Sequence, residues 1–118
     1  MYHEPEDNII KGNEFTWAQW RTVQQMGRAA LDKAGADNVC HATYPMSWSW
    51  NPKSNRNPDE LWPGEGVWNA LGIDAYQKGT DGVPVTEMTE WKNMMAWAKA
   101  RNIPVIVGGW GRDRDWET

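Results

Sequence analysis

Four short stretches of this 118-residue chain gather side chains able to do chemistry. They are His3-Glu4-Pro5-Glu6, Tyr44-Pro45-Met46-Ser47-Trp48, Asp74-Ala75-Tyr76-Gln77 and Gly108-Gly109-Trp110-Gly111. Trp48, Trp50, Trp62 and Trp110 fall in loops or at the end of an apolar segment, where a flat ring either stacks on the apolar face of a sugar or buries its large area in the core. Trp17, Trp20, Trp91 and Trp97 follow helical spacing and read as packing residues. Glu4 is either a working acid or a solvated member of the acidic cluster with Glu6 and Asp7. Asp74 and Tyr76 either orient an acid and contact substrate, or Asp74 caps a neighbouring loop. His3 and His41 with Glu4 and Asp74 are metal-ligand types. No two of them stand at a helical metal-binding spacing, so no metal and no cofactor is expected.

The elements that must position these groups follow from periodicity. Thr16, with Gln19 three residues on, fits a capping box, and Gly35 is placed to end a helix over about 16–34. Trp17, Trp20, Val23, Gly27, Ala30, Leu31 and Ala34 would form its apolar face. Asn38–Tyr44 reads as a short strand covered on both faces. Residues 45–66 form a long Pro-, Asn-, Ser- and Trp-rich loop, with one turn of helix near 58–61. A second strand falls within 67–76. A second helix covers about 87–101, capped by Thr86 and broken by Asn102, with Met88, Trp91, Met95 and Ala98 on one face. Residues 104–108 make a buried strand, and a polar tail follows from Gly109. Strands separated by helical or long crossovers pair in parallel, so the class expected is α/β, in one domain over residues 1–118. The acidic cluster after Met1 and Tyr2 reads as a loop at the end of a strand that is nearly absent.

Composition narrows the function. Leu, Ile, Val and Phe supply only 16 residues, a level that alone would suggest disorder, but 10 Trp and 6 Met restore the apolar material. A net charge of −4 with scattered charges offers no basic stripe, so nucleic acid is not an expected partner. No apolar run approaches the ~20 residues of a membrane helix, and the first residues lack the apolar segment of a signal peptide. The single cysteine, Cys40, excludes an internal disulfide and a cysteine-based zinc site.

Taken in order, these segments resemble strands four to seven of a clan A glycoside hydrolase, a (β/α)8 barrel. His3-Glu4-Pro5 is similar to the motif that ends strand four. Leu61-Trp62-Pro63-Gly64, followed by residues 67–76, resembles strand six of mannanase-like members. Ile103 to Gly111 resembles strand seven. The likeness spans nearly the whole chain but only about half of a barrel of ~250 residues. It implies a partial TIM barrel with parallel strands and flanking helices. It implies Glu4 as the general acid/base, with His3, Tyr44, Trp48, Asp74, Tyr76 and Trp110 around a saccharide. The family's nucleophilic glutamate falls at Gly109, which has no side chain; Asp113 or Asp115 would have to replace it. A retaining glycosidase needs two carboxylates roughly 5 Å apart. The expectation is therefore a polysaccharide-directed module, weak or inactive alone, or a carbohydrate-binding or structural part of a larger cell-wall- or virion-associated protein. Self-association or a parent chain would complete the barrel; the compartment stays open, with an extracellular or virion-associated location favoured if the chain is part of a polysaccharide-degrading protein.

Overall fold

The computed structural model describes residues 5–10, 15–77 and 84–112, the side chains at 7, 8, 10, 74–77 and 108–112 excepted. In chain order the regular elements are helix α1 (Pro5–Ile10), helix α2 (Trp17–Lys33), strand β1 (Ala42–Thr43), strand β2 (Ala70–Gln77), helix α3 (Thr89–Ala100) and strand β3 (Val105–Arg112). Short 3-10 turns occupy Ser47–Trp50, Pro52–Ser54, Pro58–Leu61 and Val85–Glu87. The strands form one parallel sheet in the order β1-β2-β3, with α3 crossing from β2 to β3. The chain is thus a mixed α/β unit, and among the described residues its sheet stays open at β1 and β3 rather than closing on itself.

Local chemistry explains the boundaries of α2. The Thr16 hydroxyl accepts from the Gln19 N–H, and the Gln19 side chain accepts from the Thr16 N–H, so two orphan donors are satisfied reciprocally. At the other end Gly35 takes a left-handed conformation at φ 64°, which a Cβ disfavours. The buried stripe is rotated from the expected one. Trp20 and Gln24 are its buried residues, whereas Val23 is about half exposed and Ala30 is exposed. The reason is polar. Gln24 accepts a hydrogen bond from the Trp68 indole at 3.0 Å, and Trp20 donates to the Leu61 carbonyl at 3.3 Å, which turns those two positions inward.

Four further expectations are corrected. The first strand is not seven residues but two. The His41 N–H goes to the Asn69 side chain at 2.8 Å, and the Asn69 N–H returns to the His41 carbonyl, so a side chain stands where the ladder would have begun. Residues 5–10 are not a loop: Pro5 opens a helical turn, where its missing N–H costs nothing. Thr86 does not cap the second helix; it lies in the 3-10 turn Val85–Glu87, and Met88 holds the cap position without a side-chain bond. The third strand does not stop at Gly108. The backbone of residues 109–112 goes on pairing with residues 74–77 of β2.

The core lies between the helices and one face of the sheet. Leu71 and Ile73, alternate residues of β2, are fully buried in one cluster with Trp20, Met94 and Ala98. The loop tryptophans extend this core. Trp50 is buried and meets Trp97 edge-on, with ring centroids 5.6 Å apart, while Trp62 bridges Trp68 and Trp97. Arg101 stacks on the Trp97 ring at 3.9 Å, and Asp59 accepts from both the Trp97 indole and the Arg101 guanidinium. Trp50 and Trp62 therefore hold the long loop to the core rather than standing free for a ligand.

Candidate functional site

In a parallel sheet the functional groups gather at the carboxyl ends of the strands. Tyr44 directly follows β1, and its ring covers the bare face of Gly72 on β2, where a Cβ would fall inside the ring. Gly72 lies between the buried Leu71 and Ile73, so Tyr44 occupies the face of the sheet away from the helices. Ile106, the β3 partner of Gly72, is 38 % exposed. Beyond Tyr44 the chain enters the Ser47–Trp50 turn, on which Trp48 is 42 % exposed while Trp50 is buried. The face away from the helices thus carries Tyr44, fixed over Gly72, whereas the turn that bears the exposed Trp48 packs on α3 through Trp50, which meets Trp97 and accepts from the Asn93 side chain.

The backbone register brings other expected positions together. Asp74 pairs with Gly109, Ala75 with Trp110 and Tyr76 with Gly111. The pairing steps from Ile73–Val107 directly to Asp74–Gly109, so β3 has one extra residue, Gly108, just before Gly109, the position that the resemblance assigns to a nucleophile. Such a bulge re-aims the chain beyond it, and glycine accommodates it cheaply. The side chains of Asp74, Tyr76 and Trp110 lie outside the described residues, as do His3, Glu4, Asp113 and Asp115. Tyr44 and Trp48 are accordingly the expected site residues whose side chains have a described place.

One acidic group at this end of the molecule is Glu6, which reads in sequence as a member of a solvated cluster. It is 1 % exposed. Its Oε1 accepts from the Met46 N–H at 3.0 Å and from the Ser49 hydroxyl at 2.9 Å, while Oε2 is buried with no partner among the described residues. Burial pushes its pKa from 4.5 up to about 7, against the pull of these hydrogen bonds and of the nearby Arg56. The partners lie 40 and 43 residues away. No local signal in the sequence points to them.

His41 is a second buried titratable group. It packs against Gly27 of α2, with Cε1 3.5 Å from where a Cβ there would sit. Its ring nitrogens make no hydrogen bond of good geometry among the described residues, although the Val67 backbone lies near enough to favour the charged form; burial, then the Arg28 charge, outweighs this and holds its pKa below the usual value. It belongs to the helix side, away from Tyr44. Among the described residues no three His, Cys, Asp or Glu side chains gather as a metal site would need. An apolar groove of about 520 Å³ lies elsewhere, between α3 and the start of β3, lined by Met95, Ala98, Ile103 and Val105 among others. It sits at the amino end of β3, opposite the strand ends where chemistry is expected.

The chain matches no protein-family model, no curated protein and no solved structure.

Proposed function

We propose that this chain is a glycoside-hydrolase-like module directed at a polysaccharide, built as part of a (β/α)8 barrel, which binds saccharide on the open face of its sheet and cleaves it weakly or not at all. The observation that carries the reading is the placement of Tyr44 over Gly72 on the face away from the helices, with Trp48 exposed beyond it. Aromatic rings held rigidly at strand ends stack on the apolar faces of sugar rings at little entropic cost. The sequential parallel order of β1, β2 and β3 supports the barrel relationship, because barrel strands follow one another around the sheet in that way.

In this reading Glu4 supplies a proton to the leaving oxygen, with His3, Asp74, Tyr76 and Trp110 contacting the saccharide. Gly109 stands where the attacking carboxylate would be needed. Its backbone pairs with that of Asp74, so a carboxylate at 109 would arise beside that position. The test is to titrate native protein and Trp48→Ala with oligosaccharides of different linkage by calorimetry, beside a turnover assay on aryl glycosides. Binding that is lost in Trp48→Ala, with little turnover, supports the proposal.

A second reading, a non-catalytic structural part of a larger cell-wall- or virion-associated protein, draws on the sheet edges. On β3, Ile106 and Val107 are exposed, and the apolar groove adjoins them. Among the described residues β3 has no further neighbouring strand, and an edge of this kind invites a strand from a second copy or a parent chain. The two readings are compatible, and light scattering at rising concentration separates self-association from a lone module.

A further inference from the structure

The geometry points to Glu6 as the positioning residue of the proposed saccharide platform, a proton-operated latch whose carboxyl decides how firmly the Ser47–Trp50 turn, and with it the Trp48 indole, is held against α1. The inference rests on the reading of Trp48 as a saccharide contact, but its physical core does not. The two groups that Oε1 holds, the Met46 N–H and the Ser49 hydroxyl, bracket Trp48 in sequence. Met46 is the residue that begins this 3-10 turn, and no local side chain caps it. Glu6 accepts the N–H of this uncapped residue from a different element. One oxygen atom therefore joins α1 to the residue that precedes the turn and to its third residue, on either side of Trp48.

The other oxygen makes the latch responsive. Oε2 is buried and unpartnered among the described residues. The charged group facing the carboxyl from the turn side is Arg56, whose Nη1 lies 3.5 Å from both the Ser49 Oγ and the Met46 Sδ. Arg56 thus reaches the two residues beside the carboxyl, and no ion pair between it and Glu6 is found among the described residues. With a proton on Oε2 the carboxyl is neutral, Oε1 still accepts both hydrogen bonds, and the turn stays closed over it. Without that proton a negative charge is left largely desolvated, a costly state. It is relieved when water reaches Oε2 or Arg56 swings toward it, and both movements displace residues that flank Trp48. The pKa of about 7 places this change near neutrality.

The experiment incorporates 5-fluorotryptophan into the full chain and assigns the Trp48 resonance by its loss in Trp48→Phe. The ¹⁹F shift is then followed against pH in native protein, Glu6→Gln, Ser49→Ala and His41→Gln. The Trp48 resonance moves with a midpoint near 7 in native protein. Glu6→Gln, a neutral isostere that keeps both hydrogen bonds, holds the resonance at its acid position throughout. Ser49→Ala removes a donor that favours the ionised form and raises the midpoint, and this arm stands even if Glu6→Gln fails to fold. His41→Gln leaves the midpoint in place. A Trp48 resonance that does not titrate in folded native protein, that titrates unchanged in Glu6→Gln, that keeps its midpoint in Ser49→Ala, or that loses its midpoint in His41→Gln overturns the proposal. Repeating the titration with oligosaccharide separates the two claims. If no glycan shifts Trp48 at either end of the pH range, the saccharide reading fails while the latch stands. If glycans bind equally on both sides of the midpoint, the latch does not govern the site.

Discussion

The ring of Tyr44 lies where the Cβ of any residue other than glycine at position 72 would stand. Tyr44 directly follows β1 and Gly72 lies on the neighbouring β2, and they fix each other: Gly72 has no side chain to displace the ring, and the ring covers backbone that would otherwise be bare. Gly72→Ala must push the ring aside, and overpacking of this kind costs about 1–3 kcal/mol. Urea unfolding should show that loss, and the double variant Gly72→Ala/Tyr44→Ala should recover part of it. Simple addition of the two single losses would mean that the residues do not compete for one space.

Stability against pH should carry two opposing contributions. Glu6 has a folded pKa raised from 4.5 to about 7, so its contribution is full below 4.5 and is lost as pH rises through 7. The span is worth roughly 3 kcal/mol at about 1.4 kcal/mol per pH unit. His41 has a lowered folded pKa, so its contribution is present above the ordinary histidine value of 6.5 and is lost as pH falls. Glu6→Gln should therefore flatten the alkaline side of the melting-temperature profile, and His41→Gln the acid side. Thermal unfolding across the range checks both, and a native profile unchanged by either substitution contradicts the assignment.

Asp59 joins the long loop to α3 through the Trp97 indole and the Arg101 guanidinium. Its side chain is 61 % exposed, so the ion pair is screened by solvent and the indole hydrogen bond carries most of the effect. Asp59→Ala should cost about 1 kcal/mol. Asp59→Asn, which keeps an acceptor, should cost less. Equal losses in the two variants would assign the effect to charge instead.

Much of the helical and strand order is legible in the sequence because its determinants are local. The Thr16–Gln19 reciprocal cap and Gly35 are close neighbours in sequence, as is the left-handed Asn102 that ends α3. The short turn near Pro58–Leu61 is legible for the same reason, with Asn57 capping it. What escapes local reading depends on distant partners. β1 is cut short by the Asn69 side chain, the stripe of α2 is turned by Trp68 and Leu61, and Glu6 is buried by residues of the 46–49 turn. Of the residues expected around a saccharide, Tyr44 and Trp48 have described side chains, and the seating of Tyr44 on Gly72 is a contact that residue type alone does not reveal. The burial of Glu6 is not legible, because an acidic cluster looks the same whether one member is buried or all are solvated.

Turnover should be poor in the native chain. General acid assistance contributes ~10²–10⁴-fold, whereas enzymes commonly reach at least ~10⁶-fold. Gly109→Glu is the repair to assay on aryl glycosides, with added formate as a small substitute anion and Glu4→Ala as the control. Robust turnover by the native chain that survives Glu4→Ala would contradict both the acid assignment and the loss of the nucleophile.

The account's central claim, saccharide binding on the open face of the sheet, is tested most directly by an amide ¹H–¹⁵N shift titration of the native chain with oligosaccharides of several linkages. The account predicts saturable shifts concentrated at Tyr44, Trp48 and Gly72, with Gln24 and Ala98 on the helix side unmoved. Shifts centred instead on α3 and the groove at Ile103 and Val105, or no saturable shift with any glycan, would contradict it.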